Sequence, residues 1–312
     1  MAYMTKYGSF WGAVPVHRGR VFWVAPSASY YIEGRSYSAD DGQPGDSPER
    51  AVVTVNQALS YCTDGAGDVI VLLPGAHTVS TALTMSKSDV HLTGLQTSNF
   101  LRPCASLTQS TAATTIMTVS AADVEICNLR IIPITAATAI TWTTGAHRLY
   151  IHDCSFDMAT PAANVATIGA GHAGTTYTSA PANVLISHNY FEVTGAQGPA
   201  LKMGDAKDFI VEKNVIAFKG GTWANATLQG GVLGWGIYRD NELHALKDST
   251  ITAGITGTDL TSTLSVAIYR NFFSGTNSKP IEDWGATDAT IAENYKTEVG
   301  AAAGGVLWSS IT

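Results

Sequence analysis

Charged side chains are scarce in this 312-residue chain, at 14% of the total, well below the ~25% usual for soluble domains. Their balance is acidic, with a formal net charge of −7 and an isoelectric point near 5.5. A phosphate backbone is bound through a basic stripe, which is missing, so nucleic acid is excluded as a partner. No apolar run approaches the ~20 residues of a membrane-spanning helix, so no membrane association is expected. The first twenty residues, MAYMTKYGSFWGAVPVHRGR, contain no uninterrupted apolar segment and no small-residue cleavage site, and a secretory signal is not expected. Cysteine is sparse as well. Cys62, Cys104, Cys127 and Cys154 are too few for a disulfide scaffold at this length, and their spacing matches no zinc motif. They read as small residues filling a core, with the pairing state of Cys127 and Cys154 left open.

What the chain has in abundance is self-similarity. Seven stretches say nearly the same thing: DVEICNLRI from Asp123, RLYIHDCSF from Arg148, NVLISHNYF from Asn183, DFIVEKNVI from Asp208, WGIYRDNEL from Trp235, SVAIYRNFF from Ser265 and ATIAENYK from Ala289. Each alternates apolar residues, passes through two mostly polar ones, and reaches Asn or a small substitute. Those positions are Asn128, Cys154, Asn189, Asn214, Asn241, Asn271 and Asn294, spaced by 23 to 35 residues. Such a period marks a solenoid whose units bury their apolar faces only by stacking. The unit is a strand and a turn, so the solenoid is all-β. Asn128, Asn189, Asn214, Asn241, Asn271 and Asn294 are expected to form a ladder of stacked amides, and to occupy left-handed backbone at the coil corner.

Four regions follow. Residues 1–45 form an N-terminal arm and entry segment holding nine of the 28 aromatics. Residues 46–64 form one capping helix, with Ser47 as N-cap, Pro48 in the first turn and an apolar stripe at Ala51, Val52, Val55, Ala58, Leu59 and Cys62. Residues 65–299 form the solenoid, and residues 300–312 a tail. Parallel pairing between successive coils predicts eight or nine coils, about 40 Å in length, with Val184, Ile186, Phe191, Phe209, Val211, Ile216, Val266, Ile268, Phe273 and Ile291 in the lumen.

The order of features from residue 38 onward, SADDGQPGDSPERAVVTVNQAL and then GDVIVLLPGAHTV leading into Asn-turn coils, resembles the right-handed parallel β-helix (pectin-lyase-like) superfamily. That superfamily includes pectate and pectin lyases, polygalacturonases and phage tailspikes. The resemblance covers residues 38–299 and is closest in character to small phage-encoded virion proteins. It implies a right-handed parallel β-helix with one N-terminal capping α-helix. Function does not follow from the fold alone.

The hydrolase motifs of the superfamily are mostly missing: Asp40-Asp41 lies in the entry loop and His172 in GHAG. The stretch Tyr150-Ile151-His152-Asp153-Cys154-Ser155 resembles the pectate-lyase sequence Trp-Ile-Asp-His-Cys-Ser with Asp and His exchanged. The residues preceding the Asn positions, Asp153, His188, Lys213, Asp240, Arg270 and Glu293, alternate in sign from Lys213 onward and read as an exposed structural ladder. Glu282-Asp283-Trp284 reads as ordinary surface. No catalytic residue, metal site or cofactor is assigned, because no coil face is expected to gather the acids that calcium or glycan cleavage would need. Residues 1–32 carry +3, from Lys6, Arg18 and Arg20, and the remainder −10. Clustered aromatics with arginine are typical of protein interfaces, so Tyr7, Phe10, Trp11, Arg18, Arg20, Phe22 and Trp23 are the expected docking residues; the competing expectation is that Phe22, Trp23, Tyr30 and Tyr31 pack on the first coil.

The expected role is a non-enzymatic bacteriophage virion protein, a capsid-decoration or tail-associated subunit. Its partners are other virion proteins, and its assembly a homo-oligomer, a trimer. It would be made in the host cytoplasm and located in the particle. The alternatives are a tailspike-type polysaccharide depolymerase or lyase, and a non-catalytic carbohydrate-binding adhesin module, either of which would meet host-surface polysaccharide.

Overall fold

A computed structural model describes residues 18–32, 34–95, 104–110, 115–133, 138–158, 168–170, 181–194, 200–219, 221–245, 249–257, 265–282, 289–297 and 305–307. The chain is a right-handed parallel β-helix with a single α-helix among the described residues. Each coil lays down up to three strands. The first face runs through Asp68–Leu72, Val90–Gly94, Glu125–Cys127, Tyr150–His152 and Val184–Ser187. It continues in the C-terminal parts of Leu201–Glu212 and Gly221–Arg239, then in Ser265–Tyr269 and Ala289–Ala292. The second face is a ten-stranded sheet from Gly75–Val79 to Asn294–Thr297, in which the last strand, Gly305–Leu307, is antiparallel. The third starts at Leu83–Met85 and fuses with the first where long strands turn the corner.

Alternation along each strand assigns one set of side chains to the lumen. Val184 stands opposite Phe209, Ile186 opposite Val211 and Phe191 opposite Ile216. Nine of the ten expected lumen residues are buried, and Ile291, in the last coil, is half-buried against the same core. Phe156 and Phe191 stack face to face, centroids 4.7 Å apart and planes 8° from parallel.

The solenoid begins earlier than residue 65. Val21–Val24 is already a strand, parallel to Asp68–Leu72, with Val21 opposite Val69 and Trp23 opposite Val71. Phe22 and Val24 enter the lumen core. Trp23 faces the other way, into a second cluster with Ala25, Tyr30, Ala39, Ala51, Val69, Val71, Leu73 and Leu95. The hairpin Ser29–Ile32 with Arg35–Ser38 accompanies this cluster, which covers the outer face of the first coil. Phe22 and Trp23 are therefore packing residues and not docking residues, as is Tyr30, while Tyr31 is exposed. Arg20 is held too: its guanidinium donates to the Tyr61 carbonyl (2.7 Å), Thr63 Oγ1 (2.9 Å) and Asp68 Oδ2 (3.4 Å).

The capping helix is shorter than expected. Pro48–Arg50 makes one 3-10 turn whose Ser47 gives no side-chain cap. The α-helix is Val55–Tyr61, capped by Thr54 Oγ1 accepting from the Gln57 amide at 3.2 Å. Between them Val52 forms a parallel bridge with Val24, which demands extended backbone, and the run Val52-Val53-Thr54 is β-branched and resists helix. Asp41 fixes the junction, Oδ1 accepting from the Val53 and Thr54 amides (2.9 and 2.8 Å). The helix buries Val55, Ala58 and Leu59 in the lumen core and so covers the end of the stack, where apolar surface would otherwise meet water.

His77 is a buried titratable group inside this lumen. Its Nε2–H donates to the Leu73 carbonyl at 2.7 Å, and Nδ1 faces no hydrogen-bond partner. Burial pushes its pKa down to about 4, against a smaller opposing effect of the Leu73 bond. The unfolded chain therefore binds a proton between pH 6.5 and 4 that the folded chain refuses, and stability falls as pH falls through that window. The expected loss is roughly 3 kcal/mol: the stability is present in full above pH 6.5, and the loss is complete near pH 4. Denaturant unfolding of the protein and of His77→Gln across this range checks it; parallel curves would refute the assignment.

Candidate functional site

The corner between the first two faces is built from two consecutive positions. A left-handed residue turns the chain: Asn128, Asp153, His188, Lys213, Asp240, Arg270 and Glu293 all have φ between 52° and 56°. The next residue points inward, and there lies the amide ladder. Asn189, Asn214, Asn241, Asn271 and Asn294 are buried. Nδ2 of each of the first four donates to Oδ1 of the next at 2.9–3.0 Å. Each Nδ2 also donates to a main-chain carbonyl of the preceding coil: Ile151, Ile186, Val211, Tyr238 and Ile268. Asn128 is not a member. It occupies the left-handed position, and Leu129, fully buried, takes the ladder place. The expectation that the ladder residues themselves adopt left-handed backbone is corrected likewise: among the described residues, that strain falls on the polar residue before each of them.

The outer side of the first face presents two columns. One contains His91, Glu125 and Tyr150; the other contains Thr93, Cys127, His152, Ser187, Glu212, Arg239 and Tyr269. In the later coils these outer residues pair off. Arg239 Nε donates to Glu212 Oε2 at 2.5 Å. At the corners Arg270 embraces Asp240 with two bonds of 2.8 Å, and Arg148 embraces Asp123 at 2.5 and 2.6 Å. These contacts hold Asp123 and Asp240 below the usual carboxylate range, hydrogen bonding from arginine being the largest cause. The alternating ladder is thus realised at Asp240–Arg270, whereas Asp153 turns to His152.

In the early coils the columns converge differently. Glu125 is gripped from both sides: Oε2 lies 2.8 Å from His91 Nδ1 and Oε1 2.9 Å from His152 Nε2. The far nitrogens meet Asp89 (3.2 Å) and Asp153 (2.7 Å), giving a chain Asp89–His91–Glu125–His152–Asp153 across three coils. Tyr150 stacks on His152 with centroids 3.9 Å apart. Cys127 Sγ, Glu125 and His152 bring their ligand-type atoms within 4.8 Å of one another. Side chains of both histidines are 15% exposed and that of Glu125 20%, so the group sits in the surface and opens outward. Hydrogen bonds from His152 and then His91 hold the Glu125 carboxyl far below its ordinary range. Burial alone would lower His152, but Asp153, Cys127 and Glu125 outweigh it and raise the imidazole; His91 is raised against burial by Glu125 and Asp89.

This cluster corrects the expectation that no coil face gathers such groups. Its signal lay in the repeat once anchored on the left-handed residues: DVHLTG, DVEICN and RLYIHD align His91 with Glu125 and Cys127 with His152. Tyr7, Phe10 and Trp11 lie outside the described residues, as do His172, Asp283 and Trp284; Arg18 is exposed. All four cysteines are free thiols.

No protein-family model and no curated protein matches the chain. Solved structures do. Pectin methylesterase PemA from Erwinia chrysanthemi is 14% identical, with a TM-score of 0.57 over 93% of this chain and 92% of its own. Pectate lyase Pel9A is 12% identical, with a TM-score of 0.51 over 89% and 80%. Geobacillus virus E2 ORF18 aligns at 13% identity and a TM-score of 0.28 over 79% and 58%, a likeness too slight to bear on role. Stacked parallel sheets, a capped end and the likeness to the methylesterase and lyase structures define the class: the chain has the pectin-lyase-like, right-handed parallel β-helix fold.

Proposed function

We propose that the chain is a non-enzymatic structural subunit of a bacteriophage particle, a capsid-decoration or tail-associated β-helix acting as a homotrimer. The observation that carries this reading is how the outer acids of the first two faces are engaged. Asp123, Asp157, Glu212 and Asp240 are each taken up by an arginine, so they serve to tie coils together and are not held open for a sugar. The low charge, the resemblance of the entry signature to phage proteins and the continuous amide ladder support a rigid, exposed particle component. Its partners are other virion proteins, met through Tyr7, Phe10, Trp11 and Arg18.

The test is removal of residues 1–17, which stops short of the Gly19 and Arg20 amides that bond Gly67 and Asp68. The truncated chain is expected to unfold as cooperatively as the full one, to sediment as a monomer and to lose its place on the particle. A trimer that persists would put the contact elsewhere. A tailspike-type depolymerase is the second reading, favoured by the cluster around Glu125. Reducing-end release from a capsule or pectin-like polymer, abolished by Glu125→Gln, would establish it and displace the first.

A further inference from the structure

We propose that Glu125, Cys127 and His152 form a binding site for a zinc-like divalent transition metal on the outer face of the β-helix. The inference is independent of the particle role. It starts from donor chemistry. A thiol, an imidazole and a carboxylate together suit a borderline-soft ion such as zinc, whereas calcium and magnesium seek oxygen alone. Ligand atoms around tetrahedral zinc stand roughly 3–4 Å apart, given bonds of about 2.0–2.3 Å; here all three lie within 4.8 Å of one another, a short contraction away.

The surroundings supply what metal-binding histidines require. A ligating imidazole directs its other N–H to a carboxylate, which fixes the tautomer and ring orientation. Asp153 Oδ2 lies 2.7 Å from His152 Nδ1, so Nε2 is the nitrogen turned toward Glu125 and the Tyr150 ring holds its plane. The opposite oxygen of Glu125 is held at 2.8 Å by His91, itself oriented by Asp89. Backbone geometry makes the arrangement rigid. Glu125 and Cys127 are two apart on one strand and share a face, and His152 is opposite Cys127 in the next coil. Three protein ligands leave one tetrahedral position for water, and the partial exposure of the group gives the ion access.

Cobalt(II) is the probe, because a cobalt–thiolate bond absorbs in the near ultraviolet and tetrahedral cobalt in the visible. Full-length protein, reduced and freed of metal with a chelator, is expected to bind one equivalent with both absorptions and to release it to zinc. Cys127→Ser should abolish the near-ultraviolet band, and His152→Gln should abolish binding. Asp153→Asn should keep the band while weakening affinity by about 10–100-fold. Cys104→Ser, a control thiol just before the strand Ala105–Gln109, should change nothing. Circular dichroism and thermal unfolding of each variant separate loss of the site from loss of fold. Absence of the band in the folded parent, or its survival in Cys127→Ser, overturns the proposal.

Discussion

Asn214→Leu is expected to cost roughly 3 kcal/mol or more, although the two side chains are similar in size. Asn214 lies mid-ladder and is buried. Its Oδ1 accepts from Nδ2 and the backbone amide of Asn189, both at 3.0 Å, and its Nδ2 donates to Asn241 Oδ1 and the Ile186 carbonyl, both at 3.0 Å. Leucine fills the volume but leaves buried donors on one side and buried acceptors on the other, each an unmade bond costing about 1–3 kcal/mol. Thermal and denaturant unfolding measure it. Asn128→Leu is the contrast. That side chain makes only long contacts to Thr93 and Cys127 (3.4 and 3.6 Å), and its cost comes from the left-handed backbone. Equal melting of the parent and Asn214→Leu would contradict the ladder.

Exchanging bulk between neighbouring coils is expected to produce the second large effect. Phe209 faces Gly236 across the sheet, and a Cβ built on Gly236 would lie 2.5–3.0 Å from atoms of the Phe209 ring. The glycine is therefore the space the ring occupies, with Tyr238 edge-on at 5.1 Å. Phe209→Ala should cost about 3–5 kcal/mol, since a neighbour without a side chain cannot collapse into the cavity. Gly236→Ile alone should cost about 2–3 kcal/mol by overpacking. Combined, the two should cost less than their sum by roughly 1–3 kcal/mol. Strict additivity in a double-mutant cycle would show that the ring does not depend on the gap.

The repeat was legible because stacking enforces it. Val184, Ile186 and Phe191 recur as Phe209, Val211 and Ile216 since each must cover the one before. The exact frame was harder to read. Asn is suited both to left-handed backbone and to stacked amides, and in CNL it takes the former while in SHN it takes the latter. Only the backbone distinguishes them. The entry strand VFWV lacks a turn signature of its own; its identity as a strand comes from Asp68–Leu72 beside it. The Glu125 cluster was hidden for a related reason. Its residues are 27 and 34 positions apart from their partners, and are brought together by register, which a one-residue error in the anchor scrambles. The helix starts later than Ser47 and Pro48 suggest because a distant bridge from Val52 to Val24 overrides their local signals.

The ladder also has a direction. Every linked amide presents its oxygen to the coil before it and its nitrogen to the coil after, from Asn189 to Asn294. Such dipoles add head to tail and polarise one another, so the C-terminal half of the rod carries an axial electric polarity. The line stops at Cys154, whose amide donates to Asn189 Oδ1 at 3.0 Å; beyond it Leu129 contributes no dipole. One apolar lumen thus runs through both halves, and its cohesion fades on cooling as hydrophobic driving forces do; the C-terminal half adds to it a polarised line of amides that does not depend on water in the same way.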